Sequence, residues 1–279
     1  MMKKRGKKLR IWAAFAASLL LVLIFAFDVS LHTVTYTVKS DKLSASFTAV
    51  LLTDLHSCRY GENQQTLIRA LSDAAPDAVF LAGDIIDDKM PPEDALIFLS
   101  YASERYPCYY VSGNHEFWRG DIDAVKNMLK SMGIHVLSGE AQSLIVNGQT
   151  INVCGVDDPE TGEDIFAAQL KACVESISDD TFTLLLSHRP ERIYEYANLG
   201  FNLVLSGHAH GGQLRLWPFI DGLYAPNQGF FPKFAGGMKA CDGTPIIISR
   251  GLARGSTRFM RIFNPPELIV IKFLPACKE

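Results

Sequence analysis

The chain has 279 residues, enough to bury a sizeable core, and its 48% hydrophobic and 20% charged content excludes disorder and any fibrous or collagen-like class. Of its 27 basic residues, six (Lys3, Lys4, Arg5, Lys7, Lys8 and Arg10) stand in the first ten positions, leaving 21 against 30 acidic ones, a net charge of -9, in the remainder. A body that acidic is a poor partner for a phosphate backbone, which excludes nucleic-acid binding as the main activity.

In chain order, the first element is a run of 17 uncharged, mostly apolar residues from Ile11 to Phe27, with Val29 and Leu31 extending it. This is at the short end of what crosses a hydrocarbon core as a helix. A secretory signal would end at a small-x-small cleavage site, and Phe25-Ala26-Phe27-Asp28 offers none. Residues 1–31 therefore read as a basic N-terminus and an uncleaved transmembrane anchor. The six basic residues before the run outnumber Lys39 and Lys42 after it, so the expected placement is a single-pass protein of the cell membrane, N-terminus cytoplasmic and body outside.

The body, residues 40–279, reads as one catalytic domain. After a β-like Thr33–Val38, strand and helix patterns alternate: strand Phe47–Leu52, helix Asn63–Leu71, strand Asp77–Leu81, helix Glu93–Ser103, strand Cys108–Val111, helix Ile122–Met132 and a short strand Ile134–Leu137. The second half is richer in strands. Asn147-Gly148 between Ser143–Val146 and Thr150–Val153 signals a hairpin, Ile165–Ile177 a helix, and strands follow at Phe182–Leu186, Leu203–Leu205, Pro245–Ile248 and Leu268–Phe273. This pattern predicts an α/β core of two packed sheets with helices outside. The six cysteines (Cys58, Cys108, Cys154, Cys173, Cys241 and Cys277) are scattered with no C-x-x-C, which predicts neither a zinc finger nor a disulfide framework.

The chemistry-bearing residues stand where the strands end. Asp54 and His56 follow Leu51-Leu52, Gly83-Asp84-Ile85-Ile86-Asp87 follows Phe80-Leu81, and Gly113-Asn114-His115-Glu116 follows Tyr110-Val111. Ser187-His188 follows Leu185-Leu186, and Gly207-His208-Ala209-His210 follows Val204-Leu205. Taken singly, each segment is an ordinary turn or strand terminator. Together they place five of the seven histidines directly after strand-like runs, leaving His32 and His135 for surface or structural roles. In parallel sheets, loops converge at the carboxyl ends of the strands and build sites there.

This ordered set, D-x-H, G-D-x-x-D, G-N-H-E, a lone His after a strand and then G-H-x-H, closely resembles the calcineurin-like metallophosphoesterase superfamily from about residue 50 onward. Leu186 to Glu191, the Gly-Gly-Gln after His210, Ser249-Arg250-Gly251-Leu252 and Asn264-Pro265-Pro266-Glu267 resemble its bacterial membrane-associated phosphodiesterase branch, although Ala253 stands where that branch often has glycine. The resemblance implies an α/β four-layer αββα sandwich of two mixed sheets flanked by helices. It implies one ion held by Asp54, His56, Asp84 and His210 and a second by Asp84, Asn114, His188 and His208. It further implies His115 as general acid with Asp87 as its orienting partner. Imidazole-rich ligand sets suit two divalent transition metals, Mn, Fe, Zn or Co. The implied reaction is hydrolysis of a phosphodiester, or of a phosphomonoester, by water activated between the ions.

Arg59, Arg189, Arg250 and Arg254 stand near the motif ends as candidate phosphate clamps. Leu216–Phe234 carries Trp217, Phe219, Tyr224, Phe230, Phe231 and Phe234 in a loop broken by Gly and Pro, readable as a cap packed on the domain or as an apolar lip toward a bilayer or acyl chain. The expected partners are accordingly a small-molecule or lipid-linked phosphoester and the membrane. A lipid-linked nucleotide-sugar pyrophosphatase is the alternative within the same chemistry, and a non-catalytic membrane-tethered metal scaffold is the alternative outside it. A serine hydrolase is unsupported, since no G-x-S-x-G occurs.

Overall fold

The structure is a computed structural model that describes residues 2–216, 218–254 and 260–276. Two six-stranded mixed sheets face one another. The first runs in the order β1 (His32–Ser40), β14 (Glu267–Pro275), β2 (Phe47–Leu52), β3 (Ala78–Ala82), β4 (Cys108–Val111) and β5 (His135–Val136). The second runs β12 (Gly237–Cys241), β13 (Thr244–Ile248), β9 (Leu203–Ser206), β8 (Phe182–Leu186), β7 (Gln149–Gly155) and β6 (Ala141–Val146). Strands β2 to β5 are parallel, as are β7, β8, β9 and β13. In both sheets the sites therefore gather at the carboxyl ends of the central strands.

These strands are near-continuous apolar runs because both of their faces are covered. One set of side chains, including Leu51, Phe80, Val111, Leu184 and Leu205, fills the space between the sheets. The opposite faces are covered by helices. Leu67 of α2 (Gln65–Ala74), Phe98 of α3 (Glu93–Ser103) and Leu129 of α5 (Ile122–Ser131) pack on the first sheet. Phe166 of α6 (Glu163–Glu175) and Ile193 of α7 (Ile193–Tyr196) pack on the second. The two packed sheets with helices outside, expected from the alternation, are present. Asn147 and Gly148 both take positive φ, 49° and 76°, and close the β6–β7 hairpin as their sequence signals.

Several elements left no legible sequence pattern: the one-turn α4 (Asn114–Trp118), α7, the edge strand β12, and the two-residue pair β10 (Tyr224–Ala225) and β11 (Gly229–Phe230). All are too short for a periodicity to emerge. The first helix of the body starts at Gln65 rather than Asn63, because Asn63 and Gln64 adopt left-handed φ of 49° and 59°.

The N-terminal expectation needs correction. Met2–Ala26 is helical (α1), but among the described residues no helix is long and apolar enough to cross a membrane. The described apolar side chains run only from Ile11 to the end of α1, fewer than the roughly 20 residues a spanning helix needs. Those from Ile11 to Phe25, among them Trp12, Phe15, Leu20 and Phe25, are exposed, and Ala26 is buried. The five described cysteines are free and buried, in line with the absence of a disulfide framework; Cys277 and Trp217 lie outside the described residues.

Phe273 stacks on Phe47 with centroids 4.2 Å apart and meets Phe182 of the facing sheet edge-on at 5.8 Å. Phe273→Ala removes a ring that joins the two sheets and is expected to lower unfolding stability by about 3–5 kcal/mol, read from denaturant melts.

Candidate metal centre

The strand ends bend sharply into the site. Asp54, His56, Asp84, His208 and His210 have φ of 51°, 47°, 53°, 65° and 47°, a left-handed backbone that non-glycine residues rarely adopt. Such strain costs on the order of 1–3 kcal/mol per residue and persists only where the surroundings over-determine it. Here the loops tie each other down: the Asp54 N–H donates to Gly83 O at 2.9 Å and the His56 N–H to Asp84 O at 2.9 Å. Close approach does the rest. A Cβ on Gly83 would sit 2.5 Å from His188 Nδ1, and one on Gly113 would collide with the Asp84 carboxylate. Glycine directly before Asp84 and before Asn114 is what lets these strand ends meet.

All seven residues singled out as ligands are buried at this confluence. Asp54, His56 and His210 bring one ligand atom each within reach of a common point, as do Asp84, His188 and His208. Asp84 lies between the groups, with Oδ2 3.1 Å from His188 Nε2 and 3.6 Å from His56 Nε2. Asn114, the first residue of α4, joins them with its side-chain oxygen buried.

The outer atoms of these ligands are occupied and the inner ones are bare. His56 Nδ1 bonds Asp87 Oδ2 at 2.9 Å, His188 Nδ1 bonds Ala82 O at 2.9 Å, and His208 Nε2 bonds Asn227 Oδ1 at 2.9 Å. Each of these acceptors fixes the ring as a donor on its outer side and turns the other nitrogen's lone pair inward. His56 Nε2, His188 Nε2, His210 Nδ1, Asp84 Oδ2 and Asn114 Oδ1 are all buried without a hydrogen-bond partner. Five orphaned nitrogen and oxygen atoms at one point are costly unless a cation satisfies them. The donor set thus fits divalent metal.

The electrostatics agree. Burial opposes ionisation of Asp84, but His188 and His56 outweigh it and hold the carboxyl well below the usual range. Burial also opposes the charged form of His188, yet Asp84 and Asp54 raise it to about 10, while burial and the neighbouring His188 and His56 push His208 and His210 well below an ordinary imidazole. The carboxylates thus attract positive charge into a pocket that desolvates it.

His115 lies at the rim, its ring 4.3 Å from His56 and 4.7 Å from Trp118. The expected partnership with Asp87 is shared differently. Asp87 Oδ2 is 2.9 Å from His56 Nδ1 and 3.5 Å from His115 Nδ1, whereas Asp88 Oδ1 is 2.7 Å from His115 Nδ1. Asp87 spends its other oxygen on the N–H groups of Lys89 and Met90, a turn cap. Burial lowers the His115 pKa, but Asp87, Asp84 and Asp88 together raise it to about 9.

Sequence reasoning left Asp88, Glu116, Asn227 and Asp158 without a role. Glu116, fully buried, accepts from the backbone N–H groups of Asp84, Ile85, Ile86 and Gly113 at 2.7–3.0 Å, lacing two ligand-bearing loops together. Its place in G-N-H-E was the available signal. Asp158 holds Arg189 in a two-pronged pair at 2.6 and 2.8 Å, and Arg189 Nη1 reaches Asn227 Oδ1 at 2.8 Å. The other candidate clamps are engaged as well: Arg59 by Asp94, Arg250 by Glu267, and Arg254 by the carbonyl of Arg59. In the aromatic loop Phe219, Phe230 and Phe231 are exposed, Tyr224 is half-buried, and Phe234 is packed into the core. His32 pairs with Asp28 and His135 stacks on Tyr109, and neither is among the grouped ligands.

Glu116→Ala would strand four buried N–H donors, each unsatisfied donor costing about 1–3 kcal/mol. The expected outcome is a destabilised protein that also loses most of its bound metal, measured by denaturant melts and elemental analysis after reconstitution.

Comparison with known proteins agrees with this geometry. Residues 47–212 match the model of the family described as calcineurin-like phosphoesterase. The chain is 29% identical over 250 residues to the uncharacterized metallophosphoesterase YkuE of Bacillus subtilis strain 168, covering 86% of this chain and 84% of that one. It is 30% identical over 226 residues to a Bos taurus transmembrane protein with metallophosphoesterase domain, covering 75% of this chain and 49% of that protein. Among solved structures, TT1561 of Thermus thermophilus aligns with a TM-score of 0.49 at 16% identity, covering 75% and 91% of the two chains. With a family match spanning more than half its length and buried His-carboxylate groups at the strand ends that could hold a metal ion, the chain belongs to the calcineurin-like phosphoesterases, metal-dependent hydrolases of phosphoesters.

Proposed function

We propose that the chain is a phosphodiesterase that works with two divalent transition-metal ions, Mn, Fe, Zn or Co, attached to the membrane surface through α1. The observation that carries the two-ion reading is the set of five inward, unpartnered ligand atoms around two His-carboxylate groups, Asp54–His56–His210 and Asp84–His188–His208, with Asp84 Oδ2 also 3.6 Å from His56 Nε2. Asp54, His56, Asp84 and His210 would hold one ion, and Asp84, Asn114, His188 and His208 the other. When bound, such a pair polarises the phosphoryl oxygen and acidifies water for in-line attack.

The chain's own residues supply the rest. Asp84 would offer one negative charge to both cations and so reduce their repulsion, while Asn114 would contribute an oxygen without adding charge. His115, held toward its charged form by Asp87 and Asp88, stands at the rim of the site to give the leaving oxygen a proton. Asp88 holds its Nδ1, which leaves Nε2 for that transfer. Preference for a diester is supported by the surrounding arginines. A monoester dianion asks for an uncommitted guanidinium, and the described arginines beside the site are engaged by carboxylates or carbonyls. The scaffold alternative is disfavoured because every ligand and the proton donor are in place together. Attachment through α1 is supported by its exposed apolar side chains and by the basic residues that precede them.

Two measurements test this reading. Protein stripped with a chelator should regain hydrolysis of bis-p-nitrophenyl phosphate with a transition metal at two equivalents per chain; no hydrolysis with any of the four metals would return the scaffold alternative. His115→Ala should keep its metal and slow esters of poor leaving groups by about 10² or more, with a much smaller loss on p-nitrophenyl esters. Equal losses on both would remove His115 as the acid.

A further inference from the structure

The helix α1 enters the fold at the same end as the metal centre. Strand β14 is antiparallel to β2, so its first residue, Glu267, lies beside the carboxyl end of β2 that leads into Asp54. Strand β1 is parallel to β14 and begins at His32, paired with Glu267. The residues joining α1 to β1 therefore emerge at the mouth of the site and not at the opposite pole. The link is direct: the Phe263 N–H donates to Ala26 O at 2.7 Å, and the next side chain, Asn264, donates to the backbone O of His210 at 2.7 Å. One residue separates the end of the exposed apolar helix from a loop that carries a metal ligand.

The same end is rimmed with apolar side chains. Trp118, 54% exposed, leans on His115. Phe230 and Phe231, 71% and 68% exposed, follow Asn227, whose side chain caps His208. Phe231 is pinned to the site by backbone bonds, its N–H to Leu223 O and the Leu223 N–H to Gly212 O, two residues after His210. It also takes φ of 56°, a strained conformation for an aromatic residue. Beside the end of α1 a cavity of about 550 Å³ is lined by Arg215, Leu216, Arg250 and Phe263. Arg250 is committed to Glu267, but Arg215 and Lys239 share the single Asp221, which leaves one positive charge uncompensated, and Arg215 Nη1 is buried without a partner. Cationic groups beside apolar walls complement an anionic lipid headgroup and its chains.

We propose that the mouth of the metal centre rests on an anionic bilayer surface and that its substrate is a phosphoester carried by a lipid, drawn from that surface. This rests on the phosphoesterase and membrane readings and adds the orientation and the substrate class. The exposed rings enter the headgroup region, the arginine cavity takes an anionic headgroup, and the phosphoester reaches the ligands without leaving the interface.

The test uses the full chain in phosphatidylcholine vesicles containing phosphatidylglycerol. A bimane label on Phe231→Cys, at the mouth, is compared with one on Asp180→Cys, which precedes β8 at the opposite end, by quenching with spin-labelled lipid. Quenching at least twofold stronger at position 231 is expected; equal quenching overturns the orientation, with or without metal present. In the second arm, Mn-loaded protein is given a dialkylglycerol p-nitrophenyl phosphodiester in the vesicles and bis-p-nitrophenyl phosphate in solution. The lipid ester should have at least a tenfold higher kcat/KM, and the Phe230→Ser/Phe231→Ser variant should lower the ratio of the two at least tenfold. A ratio near one, or one unmoved by the variant, overturns the lipid substrate. Failure to hydrolyse either ester overturns the hydrolase reading instead, and the quenching arm still decides the orientation.

Discussion

Everything in this molecule is arranged around one buried carboxylate. Asp84 sits in a pocket closed to water, with His188, His56 and the His115 backbone N–H gathered about it. An isolated carboxylate there would be prohibitively desolvated, and the surrounding imidazoles are what keep it ionised. Keeping it in place takes a second buried acid. Glu116 binds the backbone on both sides of the site and converts two flexible turns into a fixed cradle. The left-handed φ values along the ligand loops are the cost of pointing the ligand side chains inward from separate strands.

The residues behind the ligands divide the work with little overlap. Each described imidazole contact on the outer side goes to an acceptor of a different kind: a carboxylate for His56, a carbonyl for His188 and an amide oxygen for His208. A carboxylate places a negative charge behind its imidazole, and neutral acceptors orient a ring without adding charge. Asp87 and Asp88, adjacent in the chain, serve different histidines, His56 and His115. Asp87 Oδ2 also stands 3.5 Å from His115 Nδ1, so support of the ligand and support of the rim histidine are linked.

The route from the N-terminal helix to the site is equally economical. An edge strand, one backbone hydrogen bond and one asparagine connect α1 to His210. The buried Arg261 braces this segment by donating to the carbonyls of Arg250, Gly251 and Ala253. A surface loop with that much internal bonding is a fixed platform, which gives meaning to the direction in which the helix leaves.

The alternation of apolar runs and amphipathic segments was enough to read two sheets covered by helices, because strands buried on both faces must be apolar throughout. The ordered strand-end motifs named the residues that meet, since metal-binding side chains stranded after core strands have few other uses. What the primary chain could not decide was how neighbours are partitioned. Asp87 and Asp88 are chemically identical, and only the turn between β3 and α3 sends one to His56 and the other to His115. Glu116 has no periodicity to betray it, because its four partners come from two loops. Asn227 and Asp158 act on groups far along the chain that only packing brings near. The end of the sheet at which α1 emerges depends on β14 running against β2, a pairing of strands from opposite ends of the body. Local chemistry thus determined the parts, and long-range strand pairing, which carries no local signature, decided their partners and the direction they face.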